Sequence, residues 1–151
     1  MKFEGHVKVL VEMSSAGRPA FEVLPARATD DDLLEVLGSP ALALGFAAGD
    51  VLRVESSGEY EVIRRGGNLV LRIYAAKDDD LRPEVSALRA LLPDQALVEV
   101  RPDGRWIVIT VPALLGFPAI EPAMQSWSHS TGREWEYGNV YDDQGVPLNW
   151  S

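Results

Sequence analysis

The chain contains no cysteine, which excludes disulfides, thiolate metal sites and a cysteine nucleophile. Histidine is scarce: His6 and His129 are the only two and stand far apart. No His-x-x-x-His or Cys-x-x-Cys spacing exists, so a structural zinc site has no obvious ligands. The aspartate clusters lack the alternating ligands, central glycine and terminal glutamate of a calcium loop. No stretch approaches the roughly 18 apolar residues of a membrane-spanning helix. The opening run MKFEGHVKVLVEM alternates polar and apolar residues and carries Glu4 and Glu12, so it lacks the uninterrupted apolar core of a signal peptide. A cytoplasmic protein without a membrane partner is expected. There is no Gly-x-Ser-x-Gly elbow. Gly66-Gly67-Asn68 leads into a strand-like run, whereas a phosphate loop needs a helix N-terminus next. No catalytic residue, metal or cofactor is therefore assigned.

What is present is a globular composition, 46% hydrophobic and 25% charged, which argues against long disorder. The 151 residues suit one domain able to bury a core without a disulfide or metal staple. The formal net charge is -9, with local acidic clusters at 30–32, 78–80 and 142–143. Residues 1–76 carry a net -3 and residues 77–151 a net -6. Such a field repels phosphate backbones and disfavours nucleic acid. It would draw in a basic protein and speed the encounter.

Periodicity places the elements. Val7, Val9 and Val11 alternate as in a strand, Ser14 to Pro19 is turn chemistry, and Phe21 to Ala28 resumes the extended pattern, so a hairpin is expected. Thr29 can cap a short helix over Asp30 to Leu37, with the first acidic triplet at its positive end. Strands follow at Val51 to Glu55, Glu59 to Arg65 and Leu69 to Ala75, joined by tight glycine turns as an antiparallel meander. After Lys77 the period changes. Leu81, Val85, Leu88 and Leu92 share one face of a helix over Asp79 to Leu92, with the second triplet at its start. Strands are read at Ala96 to Arg101 and Arg105 to Val111. A second helix runs from about Gly116 to Thr131, its stripe Phe117, Ile120, Met124 and Trp127, and Gly132 stands where a C-cap would sit. Glu134 to Tyr137 makes a last short strand. The fold expected is α+β: a mainly β, meander or small barrel-like half over 1–76, then a ferredoxin-like helix-strand-strand-helix-strand half over 77–151. The apolar residues of the tail, Val140, Tyr141, Leu148 and Trp150, suggest that it packs on the body.

Several short motifs occur in a telling order. Pro40 leads to Gly45-x-x-x-Gly49-Asp50-Val51-x-x-Val54, then Gly58-x-Tyr60-x-Val62, Gly66-Gly67-Asn68 and Arg72-Ile73. Val111-Pro112-Ala113 and Trp135-x-Tyr137-Gly138-Asn139 come later. In this order the chain resembles the bacterial domain-of-unknown-function family numbered 4265, over nearly its whole length. The resemblance implies a small one-domain bacterial protein and brings no catalytic residue with it. By analogy of class alone, some small acidic families act as immunity proteins beside secreted toxins.

The densest polar and aromatic constellation is C-terminal. Trp135, Tyr137, Tyr141 and Trp150 are anchors of the kind found at interface hot spots, and Asp142 and Asp143 would steer a basic partner. The expected function is a non-enzymatic acidic protein-binding module, an immunity-type protein sequestering a basic toxin being one form of it. The alternative is an enzyme or small-ligand binder with a site between the two halves, lined by Arg64, Arg72, His129, Glu134 and Tyr137. Its marks would be a concave pocket and a perturbed titrating group. His129, flanked by Ser126, Ser128 and Ser130, reads as a helix-end histidine suited to the dipole rather than as a base. A homodimer through an edge strand of the hairpin is a further possibility beside the monomer.

Overall fold

A computed structural model describes residues 4–13, 17–30, 32–142 and 144–148. Five strands form the first sheet: β1 (Glu4–Met13), β2 (Pro19–Asp30), β3 (Leu33–Val36), β4 (Val51–Val54) and β5 (Tyr60–Arg64). They pair antiparallel in sequence order. The expected hairpin is present, with Val9 opposite Glu22. The valine face of β1 turns inward, where Val9 packs with Leu24, Val36, Phe46 and Leu52. Leu10 N–H donates to the Gly58 carbonyl, so the sheet curls until its first strand meets the turn before β5.

Among the described residues of 30–37 no helix forms. Asp30 pairs with Leu33 across a tight hairpin loop, and Asp32 takes a left-handed φ of 64°. Aspartate tolerates that conformation better than most residues, and short hairpin loops demand it. Leu33 to Val36 then bonds to neighbours on both sides, β2 and β4, and this pairing overrides the local capping signal. Of the acidic triplet, Asp30 ends β2 and Asp32 stands in the turn, while Asp31 lies outside the described residues.

The meander is also interrupted. β6 (Asn68–Tyr74) does not pair with β5. It joins a second antiparallel sheet with β7 (Leu97–Val100), β8 (Trp106–Pro112) and β9 (Glu136–Tyr137), in the order β7-β8-β6-β9. The chain changes sheets at Gly66-Gly67. A Cβ on Gly66 would lie 2.4 Å from the Gly49 carbonyl group, so the crossing depends on glycine.

Two helices cover one face of the second sheet, giving a mixed α+β molecule. A 3-10 turn (Arg82–Glu84) precedes α1 (Val85–Leu91), and α2 spans Phe117–Thr131. The first helix is shorter than its apolar stripe suggests: Pro83 has no N–H to bond the Asp79 carbonyl, so it cannot lie inside a helix begun at Asp79, and a 3-10 turn stands there instead. The stripe still packs as read: Leu81, Leu88 and Leu92 are buried with Ile120, Met124 and Trp127. Gly132 ends α2 with a left-handed φ of 73°, as the sequence predicts. The opposite face of the sheet meets the segment between β3 and β4. There Ala41 and Ala47 pack on Val70 and Val108, while Ala43 and Phe46 turn to the first sheet. This segment is the leaf between the two sheets.

Candidate functional site: an aromatic cleft between the sheets

The leaf is fixed at its C-terminal end by a buried carboxylate. Asp50 is fully buried and accepts hydrogen bonds from the backbone N–H groups of Ala47 (3.0 Å) and Gly66 (2.7 Å). Arg65 lies 3.4 Å from it. Burial pushes the Asp50 carboxyl above its ordinary range, against the pull of these donors. Asn68 Nδ2 donates to the Ala48 carbonyl (2.8 Å) alongside. The Gly-Asp and Gly-Gly-Asn motifs thus meet at one joint.

Further along, the leaf forms a lip held by side chains from both sheets. Glu22 of β2 accepts three successive backbone N–H groups, from Ala41 (2.7 Å), Leu42 (3.0 Å) and Ala43 (2.9 Å). The Tyr60 hydroxyl donates to the Leu44 carbonyl (2.7 Å), and Arg65 donates to that of Gly45. From the second sheet, Arg72 donates to the Ala43 carbonyl (2.9 Å), and the Gly138 carbonyl accepts from Gly45 N–H (2.9 Å). So held, the lip leaves Leu42 and Leu44 exposed to solvent.

The far wall comes from the Trp-x-Tyr-Gly-Asn motif. β9 pairs with β6 over only two residues. The buried Asn139 side chain extends that edge, its Oδ1 accepting from Val70 N–H (3.0 Å) and its Nδ2 donating to the Asn68 carbonyl (2.9 Å). A Cβ on Gly138 would crowd Val70 and Arg72, so a residue without a side chain lets this wall approach the floor. Trp135 and Tyr137 stand edge to face, 5.1 Å between centroids. The tail closes the end: Tyr141 bridges to Pro147, and Asp142 accepts the N–H groups of Gln144 and Val146.

Together these elements enclose an open cleft of about 750 Å³. Leu42 and Leu44 line one side, Trp135, Tyr137, Tyr141 and Asp142 the other, with Arg72 and Trp106 also in the lining. Arg72 is 4% exposed and bonds to Glu136 (3.1 Å), whose own side chain is 64% exposed. The Arg72 Nε and the Tyr137 hydroxyl have no hydrogen-bond partner among the described residues. Burial also pushes the Tyr137 hydroxyl well above its usual range. A side chamber of about 250 Å³ adjoins the cleft, lined by Arg72, Tyr74, Trp106, Glu134, Trp135 and Glu136. Among the described residues, no three His, Cys, Asp or Glu converge to hold a metal ion.

Of the residues proposed for partner binding, Trp135, Tyr137, Tyr141 and Asp142 line the cleft, while Asp143 and Trp150 lie outside the described residues. Of the ligand-binding set, Arg72, Glu134 and Tyr137 meet in the cleft and its side chamber. Arg64, on β5, and His129, near the end of α2, line neither. Sequence reasoning missed Trp106, Tyr74, Leu42, Leu44 and Glu136. Trp106 was within reach: it has the opposite strand parity to Ile107 and Ile109, which face the helices.

A family model described as "Domain of unknown function (DUF4265)" matches residues 22–136. The chain belongs to this family. No curated protein matches it. A hypothetical protein from Neisseria gonorrhoeae, known from a crystal structure, shares the fold. The TM-score is 0.68 over 97% of this chain and 98% of that one, at 11% identity. The family match takes in the joint, the lip and the whole lining of the side chamber, and stops just short of Tyr137. No described helix is long and apolar enough to cross a membrane.

Proposed function

We propose that the chain is a non-enzymatic binding module that sequesters a basic protein, neutralisation of a basic toxin being one form of that role, and that the partner docks in the aromatic cleft. One observation carries this reading. Trp106, Trp135, Tyr137 and Tyr141 gather in a single cleft on a molecule of net charge -9, with the Glu136 carboxylate exposed beside them. Aromatic rings with polar tips bury large areas at low entropic cost, and the surrounding charge steers a cationic partner. The β-α-β-β-α-β run from β6 to β9, with its strand order, supports a ferredoxin-like arrangement of the second sheet.

The test is a heteronuclear NMR titration with a peptide of alternating arginine and leucine. The indole resonances of Trp106 and Trp135 should move, and less so at high salt. That of Trp127, buried and bonded to Glu84, should stay. An alternating glutamate-leucine peptide should move none. Silence of both cleft indoles toward the basic peptide at low salt would overturn the proposal. The convergence of Arg72, Glu134 and Tyr137 supports a second reading, a small organic ligand, for which thermal-shift screening of metabolites should give a hit that excludes the peptide.

A further inference from the structure

The two chambers differ in chemistry, and the smaller one has the composition of a cation cage. Tyr74 and Trp106 meet at 4.6 Å between centroids, and Trp135 lines the same chamber with Glu134 and Glu136. Aromatic faces attract an organic cation through their quadrupole, and carboxylates at the mouth add to that attraction. Tyr74 already carries one guanidinium from outside the lining, since Arg105 sits 5.5 Å from its ring centre. Arg72 is the cation in the lining. It is buried, and its charge is answered by Glu136 (3.1 Å) and the Ala43 carbonyl (2.9 Å). Arg72 offsets Glu136, and Arg105 is answered by Asp103 and Asp78, so the charge left to meet an entering group is that of Glu134. The larger chamber shares Arg72, Trp106, Trp135 and Glu136 with it, lacks Tyr74 and Glu134, and adds Leu42, Leu44, Tyr137 and Tyr141.

Resting on the docking reading above, we infer that the side chamber is a subsite for one arginine or lysine side chain of the partner. The neighbouring apolar residues of the same partner segment then lie in the larger cleft, between the Leu42–Leu44 lip and the Tyr137–Tyr141 wall. Specificity arises from the pair of chambers: a basic side chain in one and an apolar side chain in the other, both from a single extended segment. The volume of about 250 Å³ accommodates one such side chain and excludes a folded element.

The deciding experiment compares two peptides on the intact chain by calorimetric titration. One alternates arginine and leucine. The other carries citrulline, the neutral isostere, in place of each arginine. The citrulline peptide should bind about tenfold more weakly. Glu134→Gln, at an exposed position, should narrow that gap by weakening the arginine peptide while leaving the citrulline peptide unchanged. Equal affinity of the two peptides for the parent chain would overturn the cation subsite and leave docking in the cleft standing. Failure of both to bind would overturn the docking reading and the subsite with it. A gap between the peptides that Glu134→Gln leaves untouched would place the cation elsewhere and overturn this assignment.

Discussion

Asp50 and Asp79 show how opposite environments set opposite roles for one residue type. Asp50 is fully buried and holds the N–H groups of Ala47 and Gly66. Asp50→Ala should lower stability by about 3 kcal/mol in urea unfolding, because buried donors lose a charged acceptor. Burial raises the Asp50 carboxyl above its ordinary value of 3.8, so the folded chain takes up this proton at a higher pH than the unfolded chain. The group's contribution to stability therefore grows as pH falls toward the unfolded value and is lost as pH rises. Asp79 receives two hydrogen bonds from Arg133, at 2.9 and 3.0 Å, which hold its carboxyl below the same value. Its contribution is present above the unfolded value and fades as pH falls through the folded one. On acidification the parent should gain on Asp50→Asn above about pH 4, and lose its lead over Asp79→Asn below about pH 4. Unfolding curves across that range check both signs. A common direction for the two variants would contradict the assignment.

Among the elements, the lip depends most on a single distant side chain. Glu22 supplies an acceptor for three consecutive N–H groups, and no regular secondary structure there would otherwise satisfy them. Glu22→Ala should cost about 2 kcal/mol and speed amide hydrogen exchange at residues 41–43, with β7 and β8 unchanged; unaltered exchange at the lip would refute its role. The elements themselves were largely legible in the sequence. The valines of β1, the leucine stripe through α1 and Gly132 after α2 signal a strand, a helix face and a cap through spacing and backbone freedom alone. Residues 30–37 misled because Thr29 and three aspartates fit a helix N-terminus and a hairpin turn equally well. The deciding bonds came from β2 and β4, which local sequence does not encode. Pro83 was visible too, and a stricter reading would have shortened α1.

For the molecule as a whole, strand partners were the illegible part. Leu69 to Ala75 reads as a strand in any context, yet nothing in its alternation says that β6 leaves β5 for β8 and β9. The cleft was half-legible for the same reason. Trp135, Tyr137 and Tyr141 stand close together in sequence and could be seen as a group. Leu42, Leu44 and Trp106 reach them only through the exchange of sheets at Gly66. That exchange has a thermal consequence. Gly66 and Gly49 leave no room for a methyl group between them. The Asp50 carboxylate, the Arg72 guanidinium and the Gly45–Gly138 bond all cross the same seam. Neither sheet can melt while the other keeps its shape, so the chain should absorb heat in one calorimetric peak, and Gly66→Ala, by prising the seam apart, should split that peak or move it as a whole to lower temperature.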